Sequence, residues 1–185
     1  MTNFISSILR SLLGKGQKTM RFLIFRDATG NFEVFYPEGW RYDRDIAVVD
    51  AKYTNSFESP NGQCRFTIAV DGGLPANFVF AKYAKKELES PSAGIIAEAV
   101  KGKFSGMDCF RREYAYASGG RKYFGGGVMF YTGAAVFSVS WNAPESEKEA
   151  MNAVFEHMLD SLMVKEGMGK RIRREIAAVS AIKET

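Results

Sequence analysis

The chain has 185 residues, 46% of them hydrophobic and 25% charged, a length that predicts one domain and a composition that excludes a disordered or collagen-like chain. Residues 1–21 hold four basic and no acidic side chains, 164–185 hold six and three, and 22–163 hold 15 against 18. A nucleic-acid-binding domain carries its basic stripe on the folded body, so an acidic body with basic ends argues against that class and predicts no nucleic-acid partner.

Phe4, Ile5, Ile8, Leu9, Leu12 and Leu13 share one face of a helix that ends at Gly14. Gly14–Lys18 reads as a linker, so residues 1–19 form an appended amphipathic helix and tether. Met20–Arg26 and Phe32–Tyr36, joined through Asp27-Ala28-Thr29-Gly30-Asn31, predict a hairpin that opens the body. Pro37-Glu38-Gly39 is turn chemistry and delivers Trp40 to one end of the core. Strands follow around Ile46–Val49, Tyr53–Glu58 and Cys64–Val70.

Pro75, with Phe78, Val79, Tyr83 and Leu88 spaced between lysines, predicts a helix of three or four turns on one sheet face. Gly94–Val100 is short, apolar and alanine-rich, and fits helix or strand equally. Met107–Trp141 predicts three antiparallel strands turning at Ser118-Gly119-Gly120 and Thr132-Gly133. Pro144 and the acidic Ser146–Glu149 start a helix whose stripe is Met151, Val154, Phe155, Met158, Leu159 and Leu162. The body therefore spans 20–164. Residues 165–185 form a second appendage, a basic helix with Arg171, Arg173 and Arg174 flanking Ile172, Ile176 and Val179.

No GxSxG, GxxxxGK[ST] or HExxH segment is present, so no nucleophile elbow, phosphate loop or helical zinc motif is predicted. Gly125-Gly126-Gly127 within a strand predicts a bulge or a helix-packing site ahead of a ligand site. Cys64 and Cys109, 45 positions apart and without histidine nearby, read as small buried residues of strands in preference to a bridge, though a disulfide stays open. His157, the one histidine, falls beside the helical stripe and is expected at the core boundary. Asp43, Asp45 and Asp50 lack the ligand spacing of a calcium loop and are expected in a solvated loop. No metal and no cofactor is predicted. No apolar run is long enough for a membrane span, and the start lacks the pattern of a secretory signal, so a cytoplasmic location is expected.

Phe32-Glu33-Val34-Phe35-Tyr36-Pro37-Glu38-Gly39-Trp40 resembles the opening strand of the PsbP-like/Mog1 superfamily, which ends in an aromatic residue, Pro, any residue, Gly and Trp. Ser56-Phe57-Glu58 with Arg65–Val70 is similar to that family's next hairpin, and Phe110–Tyr116, Lys122–Phe130, Ala135–Trp141 and Pro144–Leu162 to its closing strands and long helix. The resemblance covers residues 20–164 and implies an α/β/α sandwich of α+β type around a central antiparallel sheet. Its members include accessory proteins of photosystem II and a regulator of a small nuclear GTPase, and enzymatic activity is not a shared trait. It implies a non-enzymatic accessory or protein-binding module with a protein partner. A homo-oligomer and a peripheral membrane protein on an anionic surface are the alternatives, with Ile8, Leu12, Arg171, Arg173, Arg174 and Ile176 as the contacting residues. An enzyme with a non-standard site near Asp43, Asp45 or His157 is the third reading.

Overall fold

A period of two, with the side chains at 53, 55 and 57 and at 66, 68 and 70 buried and the residues between them half-buried, makes half-buried strands rather than helices. The structure, a computed structural model, describes residues 20–47, 52–89, 95–96 and 98–165. The two appended helices, and with them Ile8, Leu12, Arg171, Arg173, Arg174 and Ile176, lie outside the described residues, as does Asp50.

In chain order the elements are β1 (Phe22–Arg26), β2 (Phe32–Pro37), β3 (Arg41–Ala47), β4 (Lys52–Glu58), β5 (Arg65–Asp71), α1 (Phe80–Glu89), β6 (Ile95–Ile96), β7 (Val100–Phe104), β8 (Met107–Ser118), β9 (Arg121–Tyr131), β10 (Val136–Pro144), a 3-10 turn (Glu145–Glu147), α2 (Lys148–Asp160) and β11 (Met163–Val164). One sheet of eight strands runs β3-β4-β5-β10-β9-β8-β6, with β7 also paired to β8, and a second runs β1-β2-β11. Every pairing is antiparallel. The fold is thus α+β, and the hairpin expected at the start of the body forms as β1 and β2.

Phe66, Ile68, Val139, Trp141, Val128 and Phe130 point to one face of the large sheet and join α2's Val154, Phe155, Met158 and Leu159 in the main core. The small sheet covers the rest of that face, with Phe25 5.1 Å from Phe57 and Phe32 6.1 Å from Phe137, ring centre to ring centre. Met129 and Val136 point the other way and pack with Ala84 and Leu88 of α1. The simple sandwich expected from the sequence needs correction: one outer layer is helix and small sheet side by side. The chain leaving α2 turns at Ser161, whose Oγ accepts the Phe35 N–H at 2.9 Å, and β11 then pairs with β2.

Four further expectations are corrected. The strand expected around Ile46–Val49 begins at Arg41, because Arg41–Ala47 pairs residue for residue with Lys52–Glu58. Asp43 and Asp45 therefore stand on a strand rather than in a loop. The stretch Gly94–Val100, which fitted either element, contributes strand at Ile95–Ile96, and β7 follows where no strand was foreseen. Ile96 faces Tyr114 while Val100 faces Arg111, so β8's partner takes one extra residue there. Finally, the glycine run makes no bulge: Gly125, Gly126 and Gly127 pair in unbroken register with both neighbours.

Buried polar groups tie the small sheet to the large one. Asn31 Nδ2 donates to the Tyr53 hydroxyl at 3.0 Å, and that hydroxyl donates to Asp27 at 3.2 Å. Burial pushes the Tyr53 phenol up to about 12. Among the described residues no helix is long and apolar enough to cross a membrane.

Candidate binding cleft

A cleft of about 510 Å³ opens between the first half of α2 and the strands β8 and β9. Its floor is built by the period of two: Phe124 and Trp141 lie on the core-facing side of adjacent strands and are 5% exposed each. Trp141 stacks on Phe66 with centroids 6.4 Å apart and packs against Phe155 of α2. A ring this large lies flat over β9 only because its partner is glycine: a Cβ on Gly126 would stand 2.7 Å from Trp141 Cε2. On the opposite face Gly125 does the same for Tyr114, whose ring passes within 2.6 Å of where a Cβ would be and whose hydroxyl donates to the Trp141 carbonyl at 3.0 Å. Gly127 has Leu88 of α1 at 3.9 Å, so the helix-packing expectation holds at this one glycine.

The walls are charged. Arg111 and Glu113 share the core-facing side of β8 with Cys109 and line the cleft. Arg111 sits over the Trp141 ring at 5.6 Å and is ion-paired with Glu156 of α2. Lys148 sits 5.8 Å over Phe124 and 3.7 Å from Glu145. Each cation therefore lies between an aromatic face and a carboxylate, both of which attract it. Glu113 is exposed and makes no ion pair among the described residues. Asn152 and Glu156 complete the rim from α2.

The residues marked from the sequence do not gather here. His157 is half-buried on the side of α2 turned to the small sheet, its ring 4.3 Å from that of Phe22 and 6.2 Å from that of Phe35, a boundary residue as expected. Burial holds its pKa below the usual histidine value, with Asp160 pulling weakly the other way. Asp43 is on β3, opposite Ser56 and across the sheet from the cleft. Cys64 and Cys109 are buried and free, which decides against a disulfide. Burial pushes the Cys64 thiol up to about 11 and raises Cys109 as well, so both are protonated and unreactive at neutral pH. Among the described residues no three His, Cys, Asp or Glu side chains converge to hold a metal ion. The charged walls were missed by sequence reasoning, yet a signal existed. Arg111 and Glu113 share parity with the buried Cys109, and charges on the inward side of a strand mark either a pair or an opening.

No family model and no curated protein matches the chain. Solved structures do. Cyanobacterial PsbP (CyanoP) from Synechocystis sp. PCC 6803 superposes with a TM-score of 0.57 at 12% identity over 83% of this chain and 97% of its own. The fold is PsbP-like. A protein of unknown function from Pseudomonas aeruginosa, PA94, described as a putative regulator, gives 0.52 at 15% identity over 78% and 98%. A protein from Bacteroides thetaiotaomicron VPI-5482 gives 0.53 at 21% identity over 78% of this chain and 48% of its own. The chain thus spans about half of the Bacteroides protein and nearly all of the other two. At these identities the likeness is one of fold alone.

Proposed function

We propose that the protein is a non-enzymatic accessory module that docks a segment of a protein partner in the cleft between α2 and β8–β9. One observation carries this reading. Arg111 and Lys148 each lie against a carboxylate and an aromatic ring, so the cleft offers an incoming chain an aromatic floor framed by charges of both signs. Such a surface reads shape and charge pattern, as protein-recognition surfaces do. Glu113, exposed and without an ion pair among the described residues, favours a segment that brings a lysine or arginine flanked by apolar side chains. The reading is supported by the resemblance to a superfamily in which accessory roles recur.

A photo-crosslinking residue placed at exposed Asn152 in the full chain, in its native cells, tests this. The expected result is one dominant protein adduct, lost when Ala115→Arg fills the cleft and absent when the same reporter stands at exposed Ser140 on the other sheet face. Adducts insensitive to Ala115→Arg, or turnover of a small molecule abolished by that substitution, would overturn the proposal.

A further inference from the structure

On the face of the large sheet turned away from the main core, Leu88 near the end of α1 packs over Gly127, 3.9 Å from where its Cβ would be. From that row outward the register places Arg112, Tyr114 and Tyr116 of β8 on this face, with Tyr123 of β9 and with Ser140 and Asn142 of β10. Carboxylates are missing from these three strands on this side. β9 and β10 contain no acidic residue at all. Of the two in β8, Asp108 is paired with Lys103 at 2.8 Å and Glu113 lines the cleft on the opposite face.

Arg112 stands there without an acceptor. Its Nε and Nη1 are shut off from solvent and have no hydrogen-bond partner among the described residues, although the residue as a whole is only half-buried. Its guanidinium lies over the Tyr114 ring, with Cζ 5.6 Å from the centroid. That ring is itself held, packed over Gly125 and donating its hydroxyl to the Trp141 carbonyl at 3.0 Å. An aromatic face attracts a cation but accepts none of its in-plane N–H groups. A guanidinium that has lost part of its hydration and gained no acceptor is costly to the fold, and it favours an anion, because the dehydration is incurred before the ligand arrives. Arg112 pairs with Gly127 and Gly127 with Ser140, so the exposed Ser140 hydroxyl stands in the same row, across a strand that has no side chain of its own there. A carboxylate presents its oxygens along one edge. A phosphate has oxygens on every side and can accept from Arg112 and from a hydroxyl on the far side of the row.

We propose that this face binds the phosphoryl group of a small solute, with Arg112 as its cation and Ser140 as a second donor. Tyr116 and Tyr123, stacked with centroids 5.1 Å apart, lie beyond Tyr114 on the same face and give the organic part of a phosphate ester a flat surface to rest on. The site is on the other side of the sheet from the cleft, and it does not depend on what the cleft takes.

Isothermal titration calorimetry of the full chain at constant ionic strength, with inorganic phosphate, adenosine monophosphate and acetate, tests the proposal. Both phosphates are expected to bind and acetate to bind roughly tenfold more weakly or worse. Tighter binding of adenosine monophosphate identifies an ester as the ligand and equal binding identifies free phosphate; either result supports the site. Arg112→Met is expected to weaken phosphate binding by roughly tenfold or more. Its melting temperature without phosphate is expected to stay level or rise, since an apolar chain replaces a cation that had no acceptor. Ser140→Ala is expected to weaken binding about threefold, and because Ser140 is exposed this variant decides the matter even where Arg112→Met fails to fold. Arg121→Gln, at an exposed arginine on the same face, and Ala115→Arg, which fills the cleft, are expected to leave binding unchanged. No phosphate binding, acetate binding as tight as phosphate, or undiminished binding by Arg112→Met or Ser140→Ala would overturn the proposal. So would an equal loss from Arg121→Gln, which makes the attraction a diffuse one, or a loss from Ala115→Arg, which places the phosphate in the cleft beside Arg111 and Lys148.

Discussion

Gly126→Ala is expected to destabilise the protein by about 1–2 kcal/mol, against the ordinary trend for glycine in a strand. Removing a glycine from a strand interior normally gains roughly 0.5–1 kcal/mol through the unfolded chain. Here the added Cβ would stand 2.7 Å from Trp141 Cε2, and Trp141 is 5% exposed and wedged between Phe66 and Phe155. Forcing a methyl into such packing costs about 1–3 kcal/mol, which exceeds the entropic gain. Gly127→Ala supplies the control one residue away, since its Cβ would meet the Val139 carbonyl at 3.5 Å and Leu88 at 3.9 Å, ordinary contact distances. That variant is expected to match or exceed the parent. Urea unfolding followed by circular dichroism, with unchanged m-values, measures both. Trp141→Phe removes the ring atoms nearest the new methyl, so Gly126→Ala is expected to cost less in that background, a positive coupling in the double-mutant cycle. A Gly126→Ala protein as stable as the parent, or equal costs with and without the indole, would refute the close-approach argument.

His157 is the only histidine in the chain, so its proton NMR titration is a single curve, expected with a midpoint below 6.5 because burial disfavours the imidazolium. With the folded pKa below the unfolded one, stability is expected to fall as pH drops below about 6.5, and His157→Leu is expected to flatten that slope in denaturation midpoints taken across the range. Tyr53 and Tyr83 are both pushed up to about 12, burial being the largest cause in each. Their contribution is present below pH 10 and lost as pH rises from about 10 to 12, so alkaline unfolding is expected to shift upward in Tyr53→Phe if the phenol drives it. Asn55 is fully buried and its amide oxygen and nitrogen find no protein partner. Asn55→Leu, similar in shape, is therefore expected to raise stability by about 1–2 kcal/mol in urea titrations, and a loss of stability would show that the amide is satisfied.

The alternation in Phe66–Val70 and Phe137–Trp141 determined strands, their inward faces and the antiparallel body, because burial on one side of a pleated chain leaves a period of two in the residues themselves. The apolar stripe of α2 was equally legible, as were the buried cysteines and the boundary position of His157. What the residues did not show was pairing across distance. Val-Lys-Gly-Lys-Phe at 100–104 carries no apolar alternation, and it is a strand because β8 offers it an open edge. Three glycines in a row pointed to a bulge or a helix contact, and only Tyr114 from one neighbouring strand and Trp141 from the other account for the first two. The cleft likewise depends on residues 30 to 45 positions apart, Arg111 with Trp141 and with Glu156, which meet only once β8, β9, β10 and α2 are in place. Periodicity records which side of an element faces the core; which elements then meet, and what they enclose, is decided by long-range packing that leaves no local trace.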